Sequence, residues 1–98
     1  MIIIEKNVGE KIPYEVNGAK ITFDDDLTIN LKKRESDSDE HIDVCFDRDG
    51  NLVIGSAAGR AYVAEIDIPA RKYEEAEDGV VPVALDMDTV TLSLWAID

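Results

Sequence analysis

Apolar residues recur at every second position through four separate stretches of this chain. Leu27, Ile29 and Leu31 alternate with Thr28 and Asn30, and Ile42, Val44 and Phe46 alternate with Asp43 and Cys45. Tyr62, Ala64, Ile66 and Ile68 keep one phase against Val63, Glu65 and Asp67. Val90, Leu92, Leu94 and Ala96 keep one against Thr91, Ser93 and Trp95. Side chains of a strand point to opposite faces in turn, so this period specifies half-buried β-strands rather than amphipathic helices. No window carries an apolar stripe at helical spacing; the best helical candidate is one turn from Arg71 to Glu77, too short and too acidic to bury a face. Acidic or small segments at 24–26, 35–40, 55–59 and 74–79 punctuate the runs. The turn spacing suits about seven to nine short strands, as in sandwiches and barrels. The reading is all-β, a single antiparallel β-sandwich or barrel formed by residues 1–98.

Three hairpins follow from the turn residues. Asn17-Gly18 tolerates the positive φ of a two-residue type I′ loop, which sets Glu15 opposite Lys20, Tyr14 opposite Ile21 and Ile12 opposite Phe23. A four-residue loop at Asp86-Met87-Asp88-Thr89 sets Val83 opposite Leu92, Val81 opposite Leu94 and Val80 opposite Trp95. Pro82 then has to lie at an edge or a bulge, because it has no N–H to donate. Around Asp49-Gly50, Phe46 meets Val53 or Ile54 according to loop length. The shared phase of these runs names Tyr14, Ile21, Phe23, Ile29, Phe46, Tyr62, Ile66, Val83, Leu92 and Leu94 as core.

Charge narrows the partners. Lys and Arg total 10 against 22 Asp and Glu, a formal charge of −12. A phosphate-binding face needs clustered positive charge, and Lys32-Lys33-Arg34 is too small a basic run to supply one, so direct nucleic-acid binding is excluded. The same charge disfavours an anionic membrane surface, and no stretch approaches the roughly 18 apolar residues of a membrane helix. One Cys and one His exclude a disulfide framework and a multi-Cys or His-rich metal cluster. The start has no basic region ahead of Ile2-Ile3-Ile4, so the expected location is the cytoplasm, that of the host, or a virion, if the chain is phage-encoded.

The motifs that suggest chemistry fail on spacing. Asp47-Arg48-Asp49-Gly50-Asn51 resembles the start of a calcium loop, but Leu52 and Ala58 stand where that loop needs Gly and Glu. A β-turn explains the same residues. Gly55-Ser56-Ala57-Ala58-Gly59-Arg60 lacks both the glycine spacing and the Lys-Ser/Thr of a phosphate loop. His41 and Cys45 share a strand face but stand roughly 13 Å apart, too far for a nucleophile–base pair. The expectation is no enzyme, no metal and no cofactor. Trp95 stands on an otherwise polar face, which places it under a loop or in a contact; with Val80 opposite and Val63 on an adjacent strand it forms a candidate apolar interaction surface. Asp24, Asp25 and Asp26 form a candidate acidic one.

The segments Leu27–Leu31, Tyr62–Arg71 and Val90–Ala96 resemble those of small, acidic, uncharacterised proteins encoded by prophages of gut bacteria. The resemblance implies a phage or mobile-element context and no catalytic residues. The expected function is that of a structural or accessory interaction protein, virion-associated or assembly-related, working by self-association or through a protein partner. The alternative is an acidic inhibitor that mimics nucleic acid toward a basic host protein.

Overall fold

The computed structural model describes residues 1–97, which form ten strands. They are β1 (Ile2–Glu5), β2 (Tyr14–Asn17), β3 (Lys20–Phe23), β4 (Leu27–Asn30), β5 (Glu40–Phe46), β6 (Leu52–Ile54), β7 (Ala61–Ile68), β8 (Tyr73–Ala76), β9 (Gly79–Pro82) and β10 (Thr91–Leu94). The protein is mostly β and is built from three sheets, of order β1-β10-β7-β5-β6, β2-β3-β4 and β8-β9. None of them closes into a barrel among the described residues. All pairings are antiparallel except that of β1 with β10, which is parallel, so the expected purely antiparallel pattern is corrected at this edge.

One apolar cluster joins two of the sheets. Ile21, Phe23 and Ile29 from β3 and β4 pack with Ile42, Val44, Ile66, Ile68, Leu92 and Leu94 from the five-stranded sheet. Each such side chain, fully buried, contributes about 1.5–3 kcal/mol relative to exposure. Ile12 and Leu31 close the cluster, both almost wholly buried. Leu31 opens the short helix α1 (Leu31–Arg34), which the alternation does not reveal; the Asn30 side chain caps it by accepting the Lys33 amide at 3.3 Å.

A bulge in β7 breaks the alternation that the sequence shows. Asp43 faces Glu65 and Cys45 faces Tyr62, so Val63 and Ala64 together oppose Val44. An extra residue in one strand turns everything beyond it to the opposite face. Val63 therefore joins the core with no exposure, and Tyr62, expected there, lies 42% exposed on the other side. Val63 is thus corrected from surface to core. Tyr14 is corrected to exposed and Val83 to half-buried, while Phe46 packs half-buried against the cluster.

The hairpins differ from expectation in register or in partner. Gly18-Ala19 forms the first loop, with positive φ at Gly18 and not at Ala19, as in a type II′ turn. A type I′ turn would require positive φ at Ala19, which carries a Cβ. The ladder slides by two residues, so Tyr14 meets Phe23 and Val16 meets Ile21, and the apolar face is preserved. Glu15 meets Thr22 rather than Lys20. Phe46 meets Leu52 across a five-residue loop, 47–51, closed by the Asp47 carboxylate, which accepts the amides of Asp49 and Asn51 at 2.9 Å each. The Asn51 amide above all holds the Asp47 carboxyl below its ordinary range.

The last hairpin is replaced. β9 pairs with β8 across a turn at Glu77-Asp78, and β10 pairs with β7 and β1. Within the Arg71–Glu77 stretch, Tyr73–Ala76 is strand rather than a helical turn, and a 3-10 turn over Met87–Thr89 leads into β10. All eight residues of β8 and β9 are exposed. The hairpin is tied at its base, where the Arg71 guanidinium lies 3.6 Å from Glu35 and 3.3 Å from Asp37. The molecule measures 53 × 24 × 21 Å, and its radius of gyration is 15.1 Å. A compact chain of this length has a radius of about 13 Å, so the molecule is elongated. No helix among the described residues is long and apolar enough to cross a membrane.

Candidate functional site

The outward face of the five-stranded sheet gathers side chains that lie far apart in the sequence. Register aligns them in rows across four strands: Ile2, Thr91, Asp67 and His41 in one, then Ile4, Ser93, Glu65 and Asp43 in the next. Tyr62 and Cys45 pair in the row beyond the bulge. β7 is laddered on both sides at Glu65 and Asp67, whereas β5 at His41 and Asp43 pairs with β7 alone, because β6 begins its pairing at Val44.

His41 lies near the start of β5, at one end of this face, with carboxylates on both ring nitrogens. Nδ1 is 2.6 Å from Asp67 Oδ1, while Nε2 is 2.8 Å from Asp43 Oδ1 and 3.4 Å from Glu65 Oε1. The Asp67 hydrogen bond is the largest cause of a raised His41 pKa, opposed by partial desolvation and reinforced by Asp43. One imidazolium against three carboxylates still leaves two negative charges in excess. His41 Nε2, Asp43 and Glu65 can each offer one ligand atom, with all three atoms within 4.8 Å of one another. The pattern is polar and alternating on each strand, but the pairing of β5 with β7 brings it together. An i, i+2 His-Asp pair on one predicted strand and a Glu-Asp pair on another were the signal present in the sequence.

Trp95 borders this cluster. The Val63 carbonyl at the bulge accepts the Trp95 amide at 3.0 Å, and the indole Nε1 donates to Glu65 Oε2 at 2.7 Å. The indole and Tyr62 rings are 6.0 Å apart at 32°. Trp95 is half-buried. Cys45 is 2% exposed because the 55–59 loop lies on it: a Cβ at Gly59 would meet Cys45 Cβ at 2.7 Å. Burial, with Asp43 and Glu65 nearby, pushes its thiol pKa up, away from nucleophilic use.

The expected apolar surface of Trp95, Val80 and Val63 does not assemble. Val63 is in the core, and Val80 is in β9 opposite Glu75, 65% exposed in a different sheet from Trp95. Asp24, Asp25 and Asp26 form the exposed turn between β3 and β4, with φ of 52° at both Asp24 and Asp25. An exposed apolar feature that alternation did not single out lies at β1, where Ile2, Ile3 and Ile4 are 51%, 44% and 43% exposed on the sheet's outer edge. Compared with known proteins, the chain matches no family model, no curated protein and no solved structure.

Proposed function

We propose that this chain is a non-enzymatic interaction protein that self-associates through its β1 edge. The observation that carries the reading is an edge strand of three consecutive isoleucines, paired only with β10 among the described residues and exposed on both faces. Such an edge is a template for another strand, and native proteins otherwise blunt it with charge, Pro or a cover. The Ile2 and Lys6 amides bond inward to Val90 and Leu94 at 2.8 Å. By strand alternation Ile3 and Glu5 turn their N–H and C=O groups outward.

A second copy fits these outward groups. Antiparallel pairing about a twofold axis at Ile3 sets Ile3 against itself and Ile2 against Ile4 of the partner subunit, an isologous contact that pairs isoleucine with isoleucine throughout. The charge of −12 on each copy opposes association, so salt should favour it by screening. Self-association of this kind suits a structural, assembly or virion-associated role. The exposed 24–26 turn and the net charge favour a second reading, an acidic inhibitor of a basic protein, whose binding salt would weaken.

Sedimentation of the wild type and Ile3→Lys at low and high salt tests this. The wild type should show a dimer that grows with concentration and salt, and Ile3→Lys should stay monomeric at the same stability. A wild type that is monomeric under every condition, or an Ile3→Lys variant that dimerises equally, overturns the reading.

A further inference from the structure

The cluster on the outward face carries an inference independent of the β1 edge. We propose that His41 Nε2, Asp43 and Glu65 bind one divalent first-row transition cation such as Zn²⁺, with Asp67 and Trp95 as positioning residues. The donor set is mixed, one imidazole nitrogen and two carboxylate oxygens. Imidazole suits Zn²⁺ and its neighbours in the series, whereas all-oxygen sets suit Mg²⁺ and Ca²⁺.

The geometry fits a single ion. Nε2 lies 2.8 Å from Asp43 Oδ1 and 3.4 Å from Glu65 Oε1. Adjacent ligands on Zn²⁺ with bonds of about 2.0–2.1 Å stand roughly 3.0–3.4 Å apart, and the three ligand atoms here lie within 4.8 Å of one another, so side-chain rotation that closes the cluster brings all three into one coordination sphere. The ligands come from the paired strands β5 and β7 rather than from a loop, so little ordering is left for the ion to impose.

The surrounding hydrogen bonds match what a ligating histidine needs. Its second nitrogen, Nδ1, is 2.6 Å from the Asp67 carboxylate, which would hold the ring proton on Nδ1 once an ion takes the place of the Asp43 hydrogen bond at Nε2, and raises the basicity of the ring. Trp95 Nε1 holds Glu65 through Oε2, leaving Oε1 directed at His41. Three carboxylates surround the ring, and a divalent ion at Nε2 would offset most of their negative charge.

Chelator-treated full-length chain would be titrated with Zn²⁺ by calorimetry. Co²⁺ would be titrated alongside it and followed by the emission of Trp95, the single tryptophan. The expected result is one ion per chain with saturable quenching by Co²⁺. Binding should weaken at least tenfold in His41→Ala and Glu65→Gln. Asp67→Asn, which leaves every proposed ligand in place, should weaken it by about 10–100-fold. Replacing Asp24, Asp25 and Asp26 together by Asn should leave it unchanged. Circular dichroism confirms that each variant is folded, and His41→Gln stands in if His41→Ala is not. No heat at millimolar Zn²⁺ overturns the proposal. So does an affinity that survives the loss of His41, or Ca²⁺ binding as tight as Zn²⁺, either of which would mark unspecific attraction to an acidic surface.

Discussion

His41 Nδ1 and Asp67 Oδ1 stand 2.6 Å apart across the β5–β7 ladder, directly opposite one another in register. This contact raises the pKa of the imidazole above its ordinary value of 6.5. A group whose folded pKa is raised contributes stability that is fully present below its unfolded pKa and is lost as pH climbs through the folded value. With metal removed, stability should therefore decline from about pH 6.5 upward, where carboxylates are already ionised. His41→Asn should flatten that slope. NMR titration of the His41 ring should show a midpoint above 6.5 in the wild type, moving down in Asp67→Asn. A midpoint at or below the ordinary value would contradict the contact.

Gly59 has a different kind of necessity. Its backbone φ is not in the left-handed region, yet a Cβ there would come within 2.7 Å of Cys45 Cβ and 2.9 Å of Sγ. Cys45 sits on a central strand and cannot retreat, so Gly59→Ala should destabilise by about 1–3 kcal/mol, the usual range for overpacking. Urea denaturation would measure it. The same cover should keep Cys45 unreactive toward a thiol reagent at neutral pH in the wild type, and Gly59→Ala should make it modifiable by prising the loop away.

Trp95 is anchored on its own chain, by the 2.7 Å bond to Glu65 and by the Tyr62 ring. Trp95→Phe keeps an aromatic ring beside Tyr62 and loses the N–H donor, so it should cost about 1 kcal/mol in a half-exposed position. Trp95→Ala also loses the packing and should cost about 3 kcal/mol. Neither should change the sedimentation coefficient. A shift in oligomeric state with unchanged folding stability would instead place Trp95 in an interface between chains.

Much of the local structure was legible in the residues themselves. The strands around 20–23, 27–30, 40–46, 64–68 and 91–94 follow the alternation, and Ile21, Phe23, Ile29, Ile66, Leu92 and Leu94 are buried as their phase requires. The Asp47 turn follows from the ability of an Asp side chain to bond amides two and four residues on. These features depend on neighbours within a few positions, where period and turn chemistry act.

What only the tertiary structure decided begins with the bulge at Val63, where packing against Val44 overrides an unbroken alternation and exchanges the faces of Val63 and Tyr62. It continues with β10, whose apolar residues would match Val81 and Val83 in a hairpin but pair instead with Ile66 and Ala64 of β7. The His41, Asp43, Glu65 and Asp67 cluster has the same origin. Each carboxylate looks like a solvated strand position until the long-range pairing of β5 with β7 is known. Alternation states which side chains share a face of their own strand. Which strands then lie side by side is settled by burial summed over the whole core, a quantity that no local window contains.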